Sequence, residues 1–282
     1  MARFKQVTIV GLGLIGGSLG MALRRRRVAR TVVGLSRHPS TLRQAKQRGA
    51  IDIGTMNPKE AVQDADLVIL ATPVDTIAPL ALRLAKWMRP GSLLTDVGST
   101  KARIVSALER RLPPHIAFVG GHPLAGSEQR GIEAADARLF DGSICVLTPS
   151  GRTNRDALKR VARLWQPLVH HVVTMSPQHH DRVLAGTSHL THLLAACLAL
   201  TGDATPLPSA PPSFLESTRI AKSDPELWDD IFLTNRDALL VVMDQFARRW
   251  HALRTLLARR DRVGLRRVLQ RAQSKRDALE RA

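Results

Sequence analysis

Short apolar runs alternate with amphipathic stretches over the first 150 residues. Gln6–Val10 (QVTIV), Thr31–Leu35 (TVVGL), Leu67–Ala71 (LVILA) and Ser92–Thr95 read as buried strands. Ile116–Val119 and Ile144–Leu147 read as two more. Between them, Leu14–Arg26, Ser40–Arg48, Asp75–Met88 and Thr100–Arg111 carry apolar residues at helical spacing. Gly49 stands where a helix C-terminal cap belongs, and Pro90-Gly91 ends another helix. Strands alternating with helices of this length predict a parallel sheet covered on both faces.

After residue 150 the pattern changes. Arg155–Leu168 predicts a helix and His171–Thr174 a strand, and from Ser176 onward almost everything is helical. Gln178–Leu200 reads as one long helix, with Phe214–Ile220, Asp224–Arg260 and Asp261–Arg281 completing the set. The proline-rich segment 201–212 reads as a loop within that helical part. The fold class is therefore α/β: a Rossmann-type doubly wound sheet over residues 1–172, then an all-helical C-terminal domain over residues 173–282.

Composition narrows the classes. The chain has 282 residues and a formal net charge of +18, from 42 Lys+Arg against 24 Asp+Glu. Such basicity raises the question of nucleic acid. Yet 34 of the 42 are Arg and they are scattered, while Tyr is absent and Phe numbers only six, so a stacking platform is poorly supplied. Compositional bias plus an anionic ligand is the expected source of the charge, and nucleic acid is not an expected partner. Eleven arginines between Arg248 and Arg281 read as a solvated face on helices packing through Leu253, Leu256, Leu257, Leu265, Val268 and Leu269. Cys145 and Cys197 form no CxxC pair, so neither a disulfide framework nor a cysteine zinc site is expected. The longest apolar run, Leu193–Leu200, is far short of a membrane span, and the first strand begins by residue 6, so no secretory leader is expected. The reading is a soluble, cytoplasmic protein.

Gly11-Leu12-Gly13-Leu14-Ile15-Gly16 follows a strand and opens a helix, the context in which GxGxxG binds a dinucleotide. Gly11 permits the tight turn, Gly13 leaves room for a pyrophosphate, and Gly16 lets helix pack on strand. The N–H groups that begin the helix at Leu14 and Ile15 then face the anion. An NAD-binding domain usually places an acid about twenty residues on. Here Ser36 stands there and Arg37 follows. Ser can donate to a 2′-phosphate and Arg can pair with it, so the expected cofactor is NADP, with NAD the lesser candidate.

Three further motifs complete a pattern: Thr95-Asp96-Val97-Gly98-Ser99-Thr100-Lys101, Gly120-Gly121-His122-Pro123-Leu124-Ala125-Gly126 and Thr187-Ser188-His189-Leu190. With GLGLIGGS at residues 11–18 and the segment Ser217–Asn235, the chain resembles the prephenate/arogenate dehydrogenases of tyrosine biosynthesis. The resemblance spans roughly residues 5–250. It implies an oxidative decarboxylation: hydride leaves C4 of a cyclohexadiene for the nicotinamide, carbon dioxide leaves C1, and the ring becomes aromatic. Prephenate would give 4-hydroxyphenylpyruvate and arogenate would give tyrosine.

The resemblance also implies roles. His122 accepts the hydrogen bond of the C4 hydroxyl, work suited to a neutral imidazole near pH 7. Ser99 supports the hydroxyl and the histidine, and His189 lies near substrate and nicotinamide. Arg219 clamps a substrate carboxylate, which a planar guanidinium does with two oxygens at once. Lys101, Ser127, Glu128 and Trp228 fall near the substrate, and Thr72-Pro73 lines the nicotinamide side of the groove. His180-Asp181 reads as structural support and His192 as packing or surface. The helical domain would form a homodimer. His189 and His192, three apart on a helix, suggest metal, but no third ligand stands near them and the reaction needs none, so no metal is expected.

Pro211-Pro212-Ser213-Phe214 stands where relatives often carry a glycine run. Two other readings remain open. A β-hydroxyacid-type dehydrogenase would lean on a lysine in the helical domain, where only Lys222 and Lys275 occur. A non-catalytic NADP-binding regulator would use the basic C-terminal helices on nucleic acid.

Overall fold

The computed structural model describes residues 4–201 and 210–280. Most of the loop expected over 201–212 therefore lies outside the described residues. β1 (Phe4–Val10) leads through the glycine turn into α1 (Leu14–Arg25), then β2 (Ala29–Leu35), α2 (Pro39–Gln47), β3 (Ile53–Thr55) and α3 (Pro58–Val62). β4 (Leu67–Leu70), α4 (Val74–Leu84), β5 (Leu93–Asp96), α5 (Ala102–Arg111) and β6 (Ala117–Pro123) follow, and then β7 (Ile144–Thr148), α6 (Arg155–Trp165) and β8 (His171–Thr174).

The eight strands form one sheet in the order β3-β2-β1-β4-β5-β6-β7-β8. Winding reverses between β1 and β4, which opens a crevice at their carboxyl ends, where such sheets bind ligands. β4 shows why the sheet is buried on both sides. Leu67 and Ile69 join the apolar cluster on one face, and Val68 and Leu70 join the cluster on the other. All four are fully buried, each contributing on the order of 2 kcal/mol.

The sheet departs from the all-parallel expectation at one junction, where β7 runs antiparallel to β6. The connection between them holds only a single 3₁₀ turn, Ile132–Ala134, and no crossover helix, so the next strand can pair only by reversing. α6 then supplies a crossover and β8 returns parallel to β7. The antiparallel pairing also lengthens β6, placing His122 within the strand opposite Val146 and not just beyond its end. β3 and α3, three and five residues long, are too short to show a period in sequence.

The helical part is more broken than its apolar pattern implies. α7 (Pro177–Leu184) is capped by the Ser176 side chain, which accepts from the His179 N–H. A wide π turn over Ala185–His189 separates it from α8 (Leu190–Ala199). α9 (Pro212–Thr218) runs into a 3₁₀ turn at Arg219–Lys222, and α10 (Pro225–Thr234), α11 (Arg236–Ala258) and α12 (Arg262–Glu280) complete the chain. The single helix expected over 224–260 is interrupted at Asn235 because the Asn235 amide turns inward to bond groups of α7 and the π turn.

The chain divides into two compact units, one ending at Arg236 and one beginning at Asp237. In the second unit Leu253, Leu256 and Leu265 are half-buried, whereas Leu257, Val268 and Leu269 are exposed. Half of the apolar positions expected to pack those helices are thus left open in the single chain. Among the described residues, no helix is long and apolar enough to cross a membrane.

Candidate functional site

The glycine turn joins β1 to α1 at the crevice. Gly11 has a φ of +94°, and a Cβ there would lie 2.5 Å from the Ala71 carbonyl oxygen at the end of β4. A Cβ on Gly16 would lie 1.9 Å from the Gly11 carbonyl oxygen. Gly13 differs, since its Cβ would meet nothing within 4 Å. It caps α1 with no side-chain hydrogen bond and no acid in the first turn, so the N–H groups at Leu14 and Ile15 stay available to an anion. Open space beside Gly13 and an uncapped helix start fit a pyrophosphate. Ser36 and Arg37 follow β2 on the same edge. The Ser36 hydroxyl accepts from the His38 N–H at 3.2 Å, and Arg37 is exposed, with no ion pair among the described residues. Thr72 and Pro73 follow β4, where the Thr76 hydroxyl donates to the Thr72 hydroxyl at 2.9 Å.

The second cluster gathers segments from β5, β6, α7, the π turn and α10. His122 is half-buried in β6, its Nδ1 2.9 Å from Nε2 of the fully buried His180. His180 Nδ1 lies 2.8 Å from Asp181 Oδ1. The Asp181 carboxylate also accepts from the Lys101 and Ala102 N–H groups at 2.8 and 2.9 Å, tying α7 to the start of α5. Burial, followed by the neighbouring His180, Lys101 and His189, holds the His122 pKa well below its ordinary value. His122 is therefore neutral at pH 7, as a proton acceptor must be.

His189 is 1% exposed and sits at the end of the π turn. Such turns often mark functional positions because they offset one side chain from the regular helix. Burial lowers its pKa to about 4. Trp228 stacks on His192 with ring centroids 3.4 Å apart and meets His189 edge-on at 6.0 Å. The His192 pKa is also lowered to about 4, chiefly by burial, while a hydrogen bond to the Ile220 backbone opposes the shift. α8 packs against the turn carrying Arg219. Arg219 is 58% exposed and points to Glu128 at 3.4 Å. Ser127, beside Glu128, accepts from the Gln129 N–H at 2.9 Å. Ser99 is half-buried in the loop after β5, its hydroxyl without a hydrogen-bond partner among the described residues.

Lys101 departs from its expected place at the substrate. It is fully buried, its ammonium bonded to the Asp96 carboxylate and, at 2.8 Å, to the Gly121 carbonyl. Asp96 in turn accepts from the Gly98 and Gly121 N–H groups. The pair stitches β5 to β6 next to His122. Sequence reasoning passed over Asp96 and Asn235 as functional positions. A polar Asn in an otherwise unbroken helical pattern was the available sign. A surface cavity lined by Val105, Glu109, Arg110, Ser150, Arg152 and Gln178 contains none of these residues. Among the described residues no group of three or more His, Cys, Asp and Glu side chains is placed to hold a metal.

Comparisons with known proteins cover both parts of the chain. Residues 19–174 match the prephenate dehydrogenase nucleotide-binding domain, and residues 176–271 match the prephenate dehydrogenase dimerization domain. The chain is 35% identical over 280 residues to the prephenate dehydrogenase of Bacillus subtilis, covering 97% of this chain and 76% of that protein. It is 36% identical over 268 residues to the cyclohexadienyl dehydrogenase of Zymomonas mobilis, covering 93% and 91%. Among solved structures, prephenate dehydrogenase from A. aeolicus, in complex with hydroxyphenyl propionate and NAD+, superposes with a TM-score of 0.89 at 34% identity, covering 98% of each chain. Synechocystis arogenate dehydrogenase superposes at 0.83 and 30% identity, covering 97% and 99%.

Proposed function

Because the chain belongs to the prephenate dehydrogenase family, a family of nicotinamide-dependent oxidoreductases, we propose that it oxidises and decarboxylates prephenate or arogenate with NADP as hydride acceptor. The observation that carries the reading is His122, held neutral at the carboxyl edge of the sheet that also carries the open glycine turn. Hydride loss from C4 leaves an electron-poor carbon–oxygen bond. A neutral imidazole that accepts the hydroxyl hydrogen bond stabilises that charge as it develops. The bound nicotinamide supplies the hydride acceptor. The Leu14 and Ile15 N–H groups hold the pyrophosphate beside Gly13.

Arg219, exposed and among the described residues ion-paired with Glu128 alone, clamps a substrate carboxylate, with Ser127 and Glu128 beside it. Ser99 offers a free hydroxyl to the substrate, and His189 and Trp228 close the apolar side. Lys101 acts here from below, as a buried charge bracing β5 and β6, and not as a substrate ligand. Support for NADP comes from Ser36 and Arg37, which place a hydroxyl and a cation, and no carboxylate, after β2. The A. aeolicus relative was solved with NAD+, which keeps NAD as the lesser candidate. A homodimer is part of the reading, since residues 176–271 match a dimerization domain and Leu233, Leu257 and Leu269 are each more than 60% exposed in the single chain.

Steady-state formation of reduced cofactor, with prephenate and arogenate in parallel and NADP and NAD in each, tests the reading. Turnover with at least one substrate and a higher kcat/KM for NADP is expected. Silence with both substrates would overturn the reaction, and a preference for NAD would overturn the cofactor assignment alone.

A further inference from the structure

Beneath His122 runs a buried chain of polar groups whose hydrogens can be counted. Both carboxylate oxygens of Asp181 already accept backbone N–H groups, so toward His180 the carboxylate remains an acceptor. His180 Nδ1, 2.8 Å away, therefore carries a hydrogen and donates it. In a neutral His180 the other nitrogen, Nε2, is bare. It faces His122 Nδ1 at 2.9 Å, and two bare nitrogens do not bond. The hydrogen of His122 is then on Nδ1, and its Nε2 lone pair is left open.

Asn235 applies the same arithmetic to the second histidine. Its Nδ2 donates to the Asp181 carbonyl oxygen at 2.8 Å, which fixes the amide orientation. The other hydrogen on Nδ2 reaches His189 Nδ1 at 3.1 Å. His189 Nδ1 is then the acceptor and its Nε2 carries the hydrogen. We infer that His180, Asp181 and Asn235 are positioning residues that hold His122 and His189 in opposite tautomers, one presenting an acceptor nitrogen and the other a donor N–H. The set is rigid: His180 is fully buried, Asp181 and Asn235 are each about 5% exposed or less, and the His122 and His180 rings meet edge to face at 5.1 Å.

The catalytic consequence rests on the dehydrogenase reading. An acceptor at His122 Nε2 takes the hydrogen bond, and then the proton, of the C4 hydroxyl. The His122 Nδ1–H remains bonded to His180, which shares the resulting positive charge with the Asp181 carboxylate. A donor at His189 Nε2 suits a substrate oxygen. The order of hydrogens along the chain makes each histidine competent for only one of the two tasks.

Long-range proton–nitrogen NMR of the full chain labelled with nitrogen-15 histidine reads tautomers directly, without activity. His122→Gln and His189→Gln assign the two rings. The expected result at neutral pH is Nδ1–H for His122 and Nε2–H for His189. Finding His122 as the Nε2–H form would overturn the inference. Kinetics give a second reading. His180→Leu removes the acceptor and is expected to lower kcat about 10- to 10³-fold with substrate KM changed less than about twofold, since a misprotonated base loses most of its effect. His180→Gln keeps an acceptor oxygen and is expected to recover a large part of that loss. Equal kcat in both variants, with cofactor binding intact, would reduce His180 to packing and overturn its positioning role. Opposite tautomers in a wild-type protein that turns over neither substrate would sustain the network and remove the dehydrogenase reading.

Discussion

The glycine turn and the histidine cluster occupy the same carboxyl edge of one sheet but are built in opposite ways. The turn works through backbone. Six consecutive residues place N–H groups at a helix start, and what matters is the absence of side chains at Gly11, Gly13 and Gly16. The cluster works through side chains drawn from residues 96–101, 122, 180–189 and 228–235, brought together only by the fold. A backbone site is specified locally and tolerates change around it. A side-chain site depends on each member's buried partners, so it can fail at residues that never touch a ligand.

The largest expected effect sharpens this difference inside the cluster itself. His122→Ala should lower kcat about 10²- to 10⁴-fold, the range of a general base, with an unfolding midpoint close to wild type. Lys101→Ala, at the ammonium that bonds the Gly121 carbonyl next to His122, should do the reverse. It leaves the buried Asp96 carboxylate without its ammonium and should cost about 3–5 kcal/mol of stability, read by urea unfolding. A Lys101→Ala protein of normal stability with raised substrate KM would return Lys101 to the substrate and collapse the distinction between facing the ligand and bracing the site.

How much could be read in advance follows the same division. Seven of the eight strands and the helices between them, α3 excepted, follow from period and from Gly and Pro punctuation, because both faces of the sheet are buried and the strands are continuous apolar runs. β3 was too short to register, and the antiparallel turn of β7 depends on what a loop lacks, which no apolar period encodes. In the site, the glycine turn was legible from spacing alone. His122, Ser99, His189 and Arg219 stood out only through family resemblance, since a lone His or one Arg among 34 carries little information by itself. The buried exchange of hydrogens through His180, Asp181 and Asn235 was not legible, because it depends on distances between segments more than 40 residues apart.

Within the glycine turn, two substitutions of the same size should part company. Gly16→Ala puts a methyl group into the Gly11 carbonyl and should destabilise the fold by roughly 1–3 kcal/mol or more, as overpacking does. Gly13→Ala meets nothing in the protein and should leave the unfolding midpoint near wild type. Its methyl group occupies the space proposed for the pyrophosphate, so the cofactor KM should rise about tenfold, roughly 1.4 kcal/mol of lost binding. An unchanged cofactor KM in Gly13→Ala would move the dinucleotide away from this turn, whatever the kinetics of the cluster.

The smallest effect is spread over several side chains and concerns the whole cluster. His122, His189 and His192 all have pKa values depressed below 6.5 in the folded protein, the latter two to about 4, with burial the leading cause in each. In the unfolded chain each would take up a proton near pH 6.5. Between about pH 6.5 and 4 the unfolded state therefore binds more protons than the native one, and stability must rise with pH through that window. Their contribution is fully retained above pH 6.5 and drains away as pH falls toward 4, with His192, half-exposed at the surface, giving the least. Unfolding midpoints measured from pH 7.5 down to 4.5 should fall by several degrees, and His189→Gln should flatten the slope. The glycine turn contains no titrating group, so Gly13→Ala should leave that slope unchanged. Equal slopes in wild type and His189→Gln would mean that His189 takes up its proton in the folded protein as readily as in the unfolded chain, and the dry, neutral cluster would have to be abandoned.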